Sequence, residues 1–292
     1  MPVSRLKIDY IPGPLLRQRY SSTAVGRLWL EKAPRLAAQY ARDHELQLGR
    51  PLKSGHAFVL PARSKSGQDM LLKISRNTLT AKLEALALRY WPEWAPHVHH
   101  LDGRTGALLL ERIRPGSQIT DRRLATAADL LSKMQPITLA PPHNKKVPSL
   151  AEQVLRGQSL ISRELWPGEA VRDAAISSLR QGPRRLLHGN FTPGSLLISV
   201  EGAVMVSPRP AVGDPCYDAA SWALSDQESG SVRHNCQQLA KRAEMDEERV
   251  REIAWIVAAL ELELAPDAYQ ARLRRWLDVA AADKAVKDLL SA

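Results

Sequence analysis

Cysteine is nearly absent: Cys216 and Cys236 are the only two in 292 residues. Neither sits in a CxxC pair or among other metal-ligand residues. That excludes a disulfide framework and a cysteine-based metal site, and it makes a reducing cytoplasm the expected compartment. Phenylalanine is as rare, and aromatics make up only 5% of the chain, so the core must be built from Leu, Ala, Val and Ile. No uninterrupted apolar run approaches the ~20 residues needed to cross a bilayer. The N-terminus has no apolar stretch before its first charges, so no membrane association is expected. A continuous basic tract is also missing. Lysine and arginine outnumber aspartate and glutamate by 41 to 31, yet the excess is scattered in pairs such as Arg122–Arg123, Arg184–Arg185 and Arg274–Arg275. Without a basic stripe interleaved with aromatics, no nucleic-acid partner is expected, and the pairs read as solvated surface.

What is present fits a folded protein. The chain is 44% hydrophobic and 25% charged, and its length suits two lobes better than one small domain. Residues 1–23 mix proline, glycine and scattered charge without a sustained period and read as an irregular leader. A helical stripe of Leu28, Ala33, Leu36, Ala37 and Tyr40 follows, interrupted early by Pro34. Apolar runs at 46–52, 56–62, 70–74, 97–101 and 107–113, separated by turn residues, predict a five-stranded antiparallel sheet. Between the third and fourth runs, 79–91 switches to helical spacing. The region 24–113 therefore reads as an α+β lobe, 114–116 as a hinge, and 117–292 as a mainly helical lobe. Helices are expected at 121–135, 150–166, 169–180, 246–264 and 266–290, the fourth capped by Asp246 with Glu247 and Glu248 in its first turn.

The polar residues with chemical potential gather in two loops: HGNFTPGSLL at His188–Leu197, and VMVSPRPAVGDPCYDAASW at Val204–Trp222. This pair resembles the aminoglycoside phosphotransferase family, whose pattern is H-G-D-x-H-P-G-N-[VIL]-L, then I-D-[PW], then G-D-P-x-[YF]-D. GALLLERIRPGSQI at Gly106–Ile119 is similar to the fifth strand and hinge of its streptomycin and hydroxyurea phosphotransferase branch. The resemblance spans about 24–290 and implies a two-lobed protein-kinase-like α+β fold within an antibiotic resistance family.

Phosphoryl transfer is mostly positioning and charge neutralisation. It needs a lysine on the nucleotide phosphates, a glutamate holding that lysine, a carboxylate to accept the substrate proton, and metal ligands. The resemblance places Lys73 and Glu84 in the first two roles, with Gly55 in a thin glycine turn, Lys53-Ser54-Gly55-His56, on the nucleotide side. The remaining roles are vacated. Asn190 stands at the base position, and an amide is no base near neutral pH. Ser195 and Ser207 stand at the two metal positions and bring no negative charge for a hard cation, so Mg²⁺ is not expected. Thr192 replaces the family's second histidine. His188, Asp214 and Asp218 read as structural support for the loop, and Arg112, Arg114 and Arg209 either as cations that hold an anion without metal or as ordinary surface arginines. The expected protein is a pseudokinase that binds ATP or another nucleotide, a small molecule or a protein partner in the interlobe cleft. The alternatives are an active ATP-dependent small-molecule O-phosphotransferase with an atypical site, and a scaffold or regulator that binds no nucleotide.

Overall fold

A computed structural model describes residues 11–121, 123–140, 143, 146–158, 169–262 and 267–291. The first ten residues of the expected leader, part of the 140–148 loop, the second half of the expected 150–166 helix and the 263–266 junction lie outside the described residues. The chain divides into two compact units, Met1–Gly116 and Ser117–Ala292.

The first unit holds the antiparallel sheet. Its strands are β1 (Gln47–Leu48), β2 (Ala57–Arg63), β3 (Asp69–Ser75), β4 (Val98–Asp102) and β5 (Ala107–Glu111), in the order β1-β2-β3-β5-β4. Alternation sets its inner face: Phe58, Leu60 and Ala62 of β2 and Met70, Leu72 and Ile74 of β3 are buried in one cluster, as a period of two requires. They pack with Trp29, Ala33, Ala37 and Tyr40 of a long helix, Ala24–Asp43. That helix is capped by the Thr23 side chain, which accepts from the Gly26 N–H, and it runs through Pro34 rather than stopping there. The missing proline donor is outweighed by an alanine-rich face packed into the core. β1 is shorter than the expected 46–52 strand, although Gly49 N still donates to Pro61 O and Leu52 N to Val59 O.

The leader departs most from expectation. Within it, Pro14–Tyr20 is helical, with Pro14 in its first turn, and Leu16 is 1% exposed in the same core. Seven residues are too few to display a 3.6-residue period, so the sequence pattern could not reveal this helix. We number it α1, Ala24–Asp43 α2, and Thr78–Tyr90 α3. Tyr20 ends α1 by donating its hydroxyl to His56 O at 3.2 Å, and its ring lies edge-on to Trp29 at 5.1 Å. Tyr20→Phe keeps the ring and loses one exposed hydrogen bond, so the expected cost is below about 1 kcal/mol in urea denaturation.

In the second unit the elements after β6 (Pro115–Gln118), which occupies part of the expected hinge, are mainly helical. They are α4 (Arg123–Met134), α5 (Leu150–Gln158), α6 (Glu169–Ser178), β7 (Arg185–Leu187), β8 (Leu196–Ser199), β9 (Gly202–Met205), β10 (Ala211–Gly213), α7 (Cys216–Ser225), α8 (Val232–Ala243), α9 (Glu247–Glu261), α10 (Asp267–Ala280) and α11 (Lys284–Leu290). β8 and β9 form a hairpin, and β7 pairs antiparallel with β10. α8 has no counterpart in the expected elements. Ser231 caps it by accepting from His234 N, but its buried stripe includes Asn235, Cys236 and alanines, too weak a hydrophobic pattern to stand out. The single helix expected at 266–290 is two. The break falls before Asp283, whose carboxylate pairs with Arg233 at 2.9 Å and Arg251 at 3.6 Å, so tertiary ion pairs override the local period. Among the described residues no helix is long and apolar enough to cross a membrane.

Candidate functional site

In the first unit, β3 places Lys73 at the centre of the sheet, opposite Val59 of β2 and Leu108 of β5. α3 presents Glu84 to it, and Lys73 Nζ donates to Glu84 Oε1 at 2.7 Å. The residues are 9% and 2% exposed. Burying an ion pair costs desolvation that its attraction barely offsets, so the pair adds little stability. What it does is hold an ammonium in a fixed place, which suits a phosphate group. Gly55 lies in the turn before β2, where Ser54 Oγ accepts from His56 N and Ala57 N, each at 3.4 Å. A Cβ at Gly55 would meet nothing within 4 Å, so turn geometry does not itself require glycine there. Arg114, expected as an anion-binding cation, is committed elsewhere. It pairs with Asp69 at 2.8 Å alongside Arg63 at 2.9 Å, and the two hydrogen bonds hold Asp69 below the usual carboxylate range.

The second unit carries the loop that follows β7. Asp218, in the first turn of α7, accepts His188 N at 2.7 Å and Gly189 N at 2.8 Å, so one buried carboxylate fixes the loop's first two amides. His188 O in turn accepts Arg209 N at 2.8 Å. Gly189 has φ +68, and a Cβ there would lie 1.9 Å from Arg209 O. Only glycine lets the two strands of loop approach this closely.

The three altered positions sit on this frame. Asn190 donates its Nδ2–H to Ser207 O at 3.2 Å. Ser195 is 2% exposed; its hydroxyl accepts from Thr192 N at 2.9 Å and donates to Thr192 O at 2.7 Å. Ser207 is exposed with φ +58. Asn190 and Ser195 thus spend polar atoms on the loops' own backbone. A hard dication needs carboxylates or comparable oxygens, and these three side chains offer no negative charge. Among the described residues no group of three or more His, Cys, Asp or Glu could hold a metal ion. Asn190, Ser195 and Ser207 bring no charge to a hard cation such as Mg²⁺, whereas Lys73 keeps an ammonium held by Glu84.

Two buried groups behind the loop titrate in opposite senses. Burial pushes His188 down to about 3, against hydrogen bonds with the main chain at Val206 and Asn190. Burial pushes Asp218 up to about 7, against its two N–H donors. Asp218, with its folded pKa raised, contributes stability that is lost as pH rises from about 4 to about 7. His188, with its folded pKa depressed, contributes stability that is lost as pH falls from about 6.5 to about 3. Between about pH 4 and 6.5 the two slopes cancel, because the folded pair and the unfolded pair each bind one proton. Urea denaturation across this window should show no net slope from the pair. His188→Gln should expose the Asp218 slope, a fall with rising pH of up to about 1.4 kcal/mol per unit. Asp218→Asn should expose the opposite slope.

Asp214 has a partner that sequence reasoning missed. Its Oδ1 accepts Cys216 N at 3.0 Å and its Oδ2 pairs with Arg249 Nε at 2.8 Å. Arg249 also donates to Ser178 Oγ at 2.6 Å, Ser178 O at 2.8 Å and Glu252 Oε2 at 2.8 Å. One guanidinium thereby ties α6, α9 and the residue after β10 together. A signal was available: Arg249 lies in the first turn of α9, where the helix dipole disfavours a cation, so its presence there calls for a tertiary partner.

A family model described as aminoglycoside/hydroxyurea antibiotic resistance kinase matches residues 42–286. No curated protein matches the chain by sequence. Among solved structures, the chain is similar to a choline/ethanolamine kinase family protein from Mesorhizobium loti, with TM-score 0.59 and 17% identity over 89% of this chain and 97% of that one. It is similar to a macrolide 2'-phosphotransferase from Brachybacterium faecium, with TM-score 0.54 and 16% identity over 83% and 98%. It also resembles an amicoumacin kinase in complex with AMP-PNP and Ca²⁺, with TM-score 0.58 and 12% identity over 86% and 93%. At these identities the likenesses show the fold, which is the α+β protein-kinase-like fold.

Proposed function

The chain belongs to the aminoglycoside/hydroxyurea antibiotic resistance kinase family, and from that premise we propose that it is a degenerate member, a pseudokinase that holds a nucleotide at Lys73 and Glu84 without running metal-assisted phosphotransfer. The observation that carries this reading is the use of Asn190 and Ser195. The amide at the base position donates to Ser207 O, and the hydroxyl at a metal position is closed onto Thr192. Loss of a general base alone costs typically about 10²–10⁴-fold. Loss of the metal ligands removes charge neutralisation as well, which phosphoryl transfer depends on. The intact Lys73–Glu84 pair supports nucleotide as the ligand class, as does the AMP-PNP complex of an amicoumacin kinase with this fold.

Calorimetric titration with ATP and ADP, with and without Mg²⁺, tests this reading. Lys73→Ala alone would strand a buried Glu84 charge and risk unfolding, so Lys73→Met/Glu84→Gln serves as the binding-deficient variant. The expected result is metal-independent binding in the wild type, lost in the double variant, with no phosphorylated streptomycin or hydroxyurea formed. Product formation at an ordinary rate, about 1 per second or faster, overturns the pseudokinase reading in favour of an active phosphotransferase with an atypical site. Absence of any nucleotide binding leaves the scaffold reading, in which a protein partner is the ligand.

A further inference from the structure

A cavity of about 330 Å³ opens in the second unit at the end of the β7–β10 ladder remote from the His188 loop. Its walls include Leu155 of α5, Leu179 just after α6 and Val212 of β10, together with Glu152, Arg180 and Arg184. The register explains the separation from the loop. Arg185 pairs with Gly213 at one end of the ladder and Leu187 with Ala211 at the other, so Arg184 enters β7 where His188 leaves it. Arg180 and Arg184 are both exposed, and neither forms an ion pair or side-chain hydrogen bond with another described residue. The one acidic wall residue, Glu152, directs its carboxylate to Ser149 N at 2.8 Å as the first turn of α5 begins. The lining therefore carries two arginines against one glutamate, net positive, beside buried Leu179 and Val212.

We propose that this cavity is a binding site for a small oxyanion carrying a short apolar body, with Arg180 and Arg184 holding the oxyanion head. Guanidinium forks match carboxylate and phosphate oxygens in planar, bidentate geometry and lose less to desolvation than an ammonium. The volume sits at the lower end for ligand sites. Set against the roughly 30 Å³ that a water occupies in the liquid, it takes on the order of ten heavy atoms within its walls. Leu155, Leu179 and Val212 take the apolar body, and Ser149 and Gln181 also line the cavity. The site needs neither metal nor nucleotide, so it stands or falls separately from the Lys73 reading.

Benzoate and phenyl phosphate are the probes, with benzyl alcohol as the neutral counterpart, each titrated into the full chain while backbone amide resonances are followed by NMR. Benzoate or phenyl phosphate should give saturable shifts confined to Ala151, Leu179–Gly182, Arg184 and Val212–Gly213, with a Kd on the order of a millimolar that weakens as salt is added. Whichever of the two binds tighter names the head as carboxylate or phosphate. Arg180→Gln/Arg184→Gln, two exposed changes, should weaken binding at least about tenfold, the loss expected for charge-assisted bonds. Lys73→Met/Glu84→Gln should leave it unchanged. Absence of saturable shifts at these amides overturns the proposal. So does benzyl alcohol binding as tightly as benzoate, equal affinity in the arginine variant, or loss of binding in the Lys73 variant.

Discussion

Gly189→Ala is expected to lower stability by about 2–5 kcal/mol, read as a shift of the urea midpoint. Two physical terms add. An L-residue held at left-handed φ costs about 1–2 kcal/mol, and Gly189 sits at φ +68. Its new Cβ would also lie 1.9 Å from Arg209 O, a backbone atom that cannot rotate away, and such overpacking costs about 1–3 kcal/mol. The damage should be local as well as global. Relief of the clash must separate Gly189 from Arg209, which strains the Arg209 N to His188 O bond and the Asn190 to Ser207 clasp. Amide exchange at Arg209 should therefore accelerate. Gly55→Ala is the contrast. With nothing within 4 Å of its Cβ position and no left-handed φ, it should leave stability within about 0.5 kcal/mol. Equal, small effects at both positions would refute the close-approach account of the loop.

Arg249→Met is expected to cost about 3–5 kcal/mol, the penalty for leaving a buried charge without its partner. Asp214 is 2% exposed, and without Arg249 its carboxylate keeps neutral partners on Cys216 but no cation. Glu252 loses the same guanidinium, as does Ser178 O at the end of α6. Native domains are stable by only about 5–15 kcal/mol, so the variant stands near the limit of folding. Arg249→Met/Asp214→Asn removes the stranded charge and should recover a large part of the loss. A double variant no more stable than the single one would show that packing of the arginine stem, rather than its charge, carries the effect.

These two residues mark different degrees of legibility. Gly189 lies in the motif that carries the family resemblance, where a glycine reads as setting the loop backbone, although its approach to Arg209 O appears only in the fold. Arg249 lies about 35 residues from Asp214, and a helical period places it only on a face. The same division runs through the fold. The five strands were readable because alternation and turn residues repeat locally, and α9 because its stripe and Asp246 cap agree. α1 was not, since seven residues show no period. α8 was not, since its buried face is small and polar at Asn235. The break before α11 was not, since Asp283 is drawn to arginines far along the chain.

By itself the sequence determined the chemical inventory: no carboxylate at 190, 195 or 207 in the loops, and a lysine at 73 and a glutamate at 84 elsewhere in the chain. Those identities follow from residue type, and no fold can supply a charge that the side chains lack. Only the tertiary structure decided how the substituted groups are used. Asn190 became a donor to Ser207 O and Ser195 a closed turn on Thr192, because hydrogen-bond direction and reach depend on backbone atoms that the chain brings together only when folded. The same holds for the guanidinium behind Asp214 and for the arginine-walled cavity beside β10, both assembled from separate segments whose proximity no local pattern encodes.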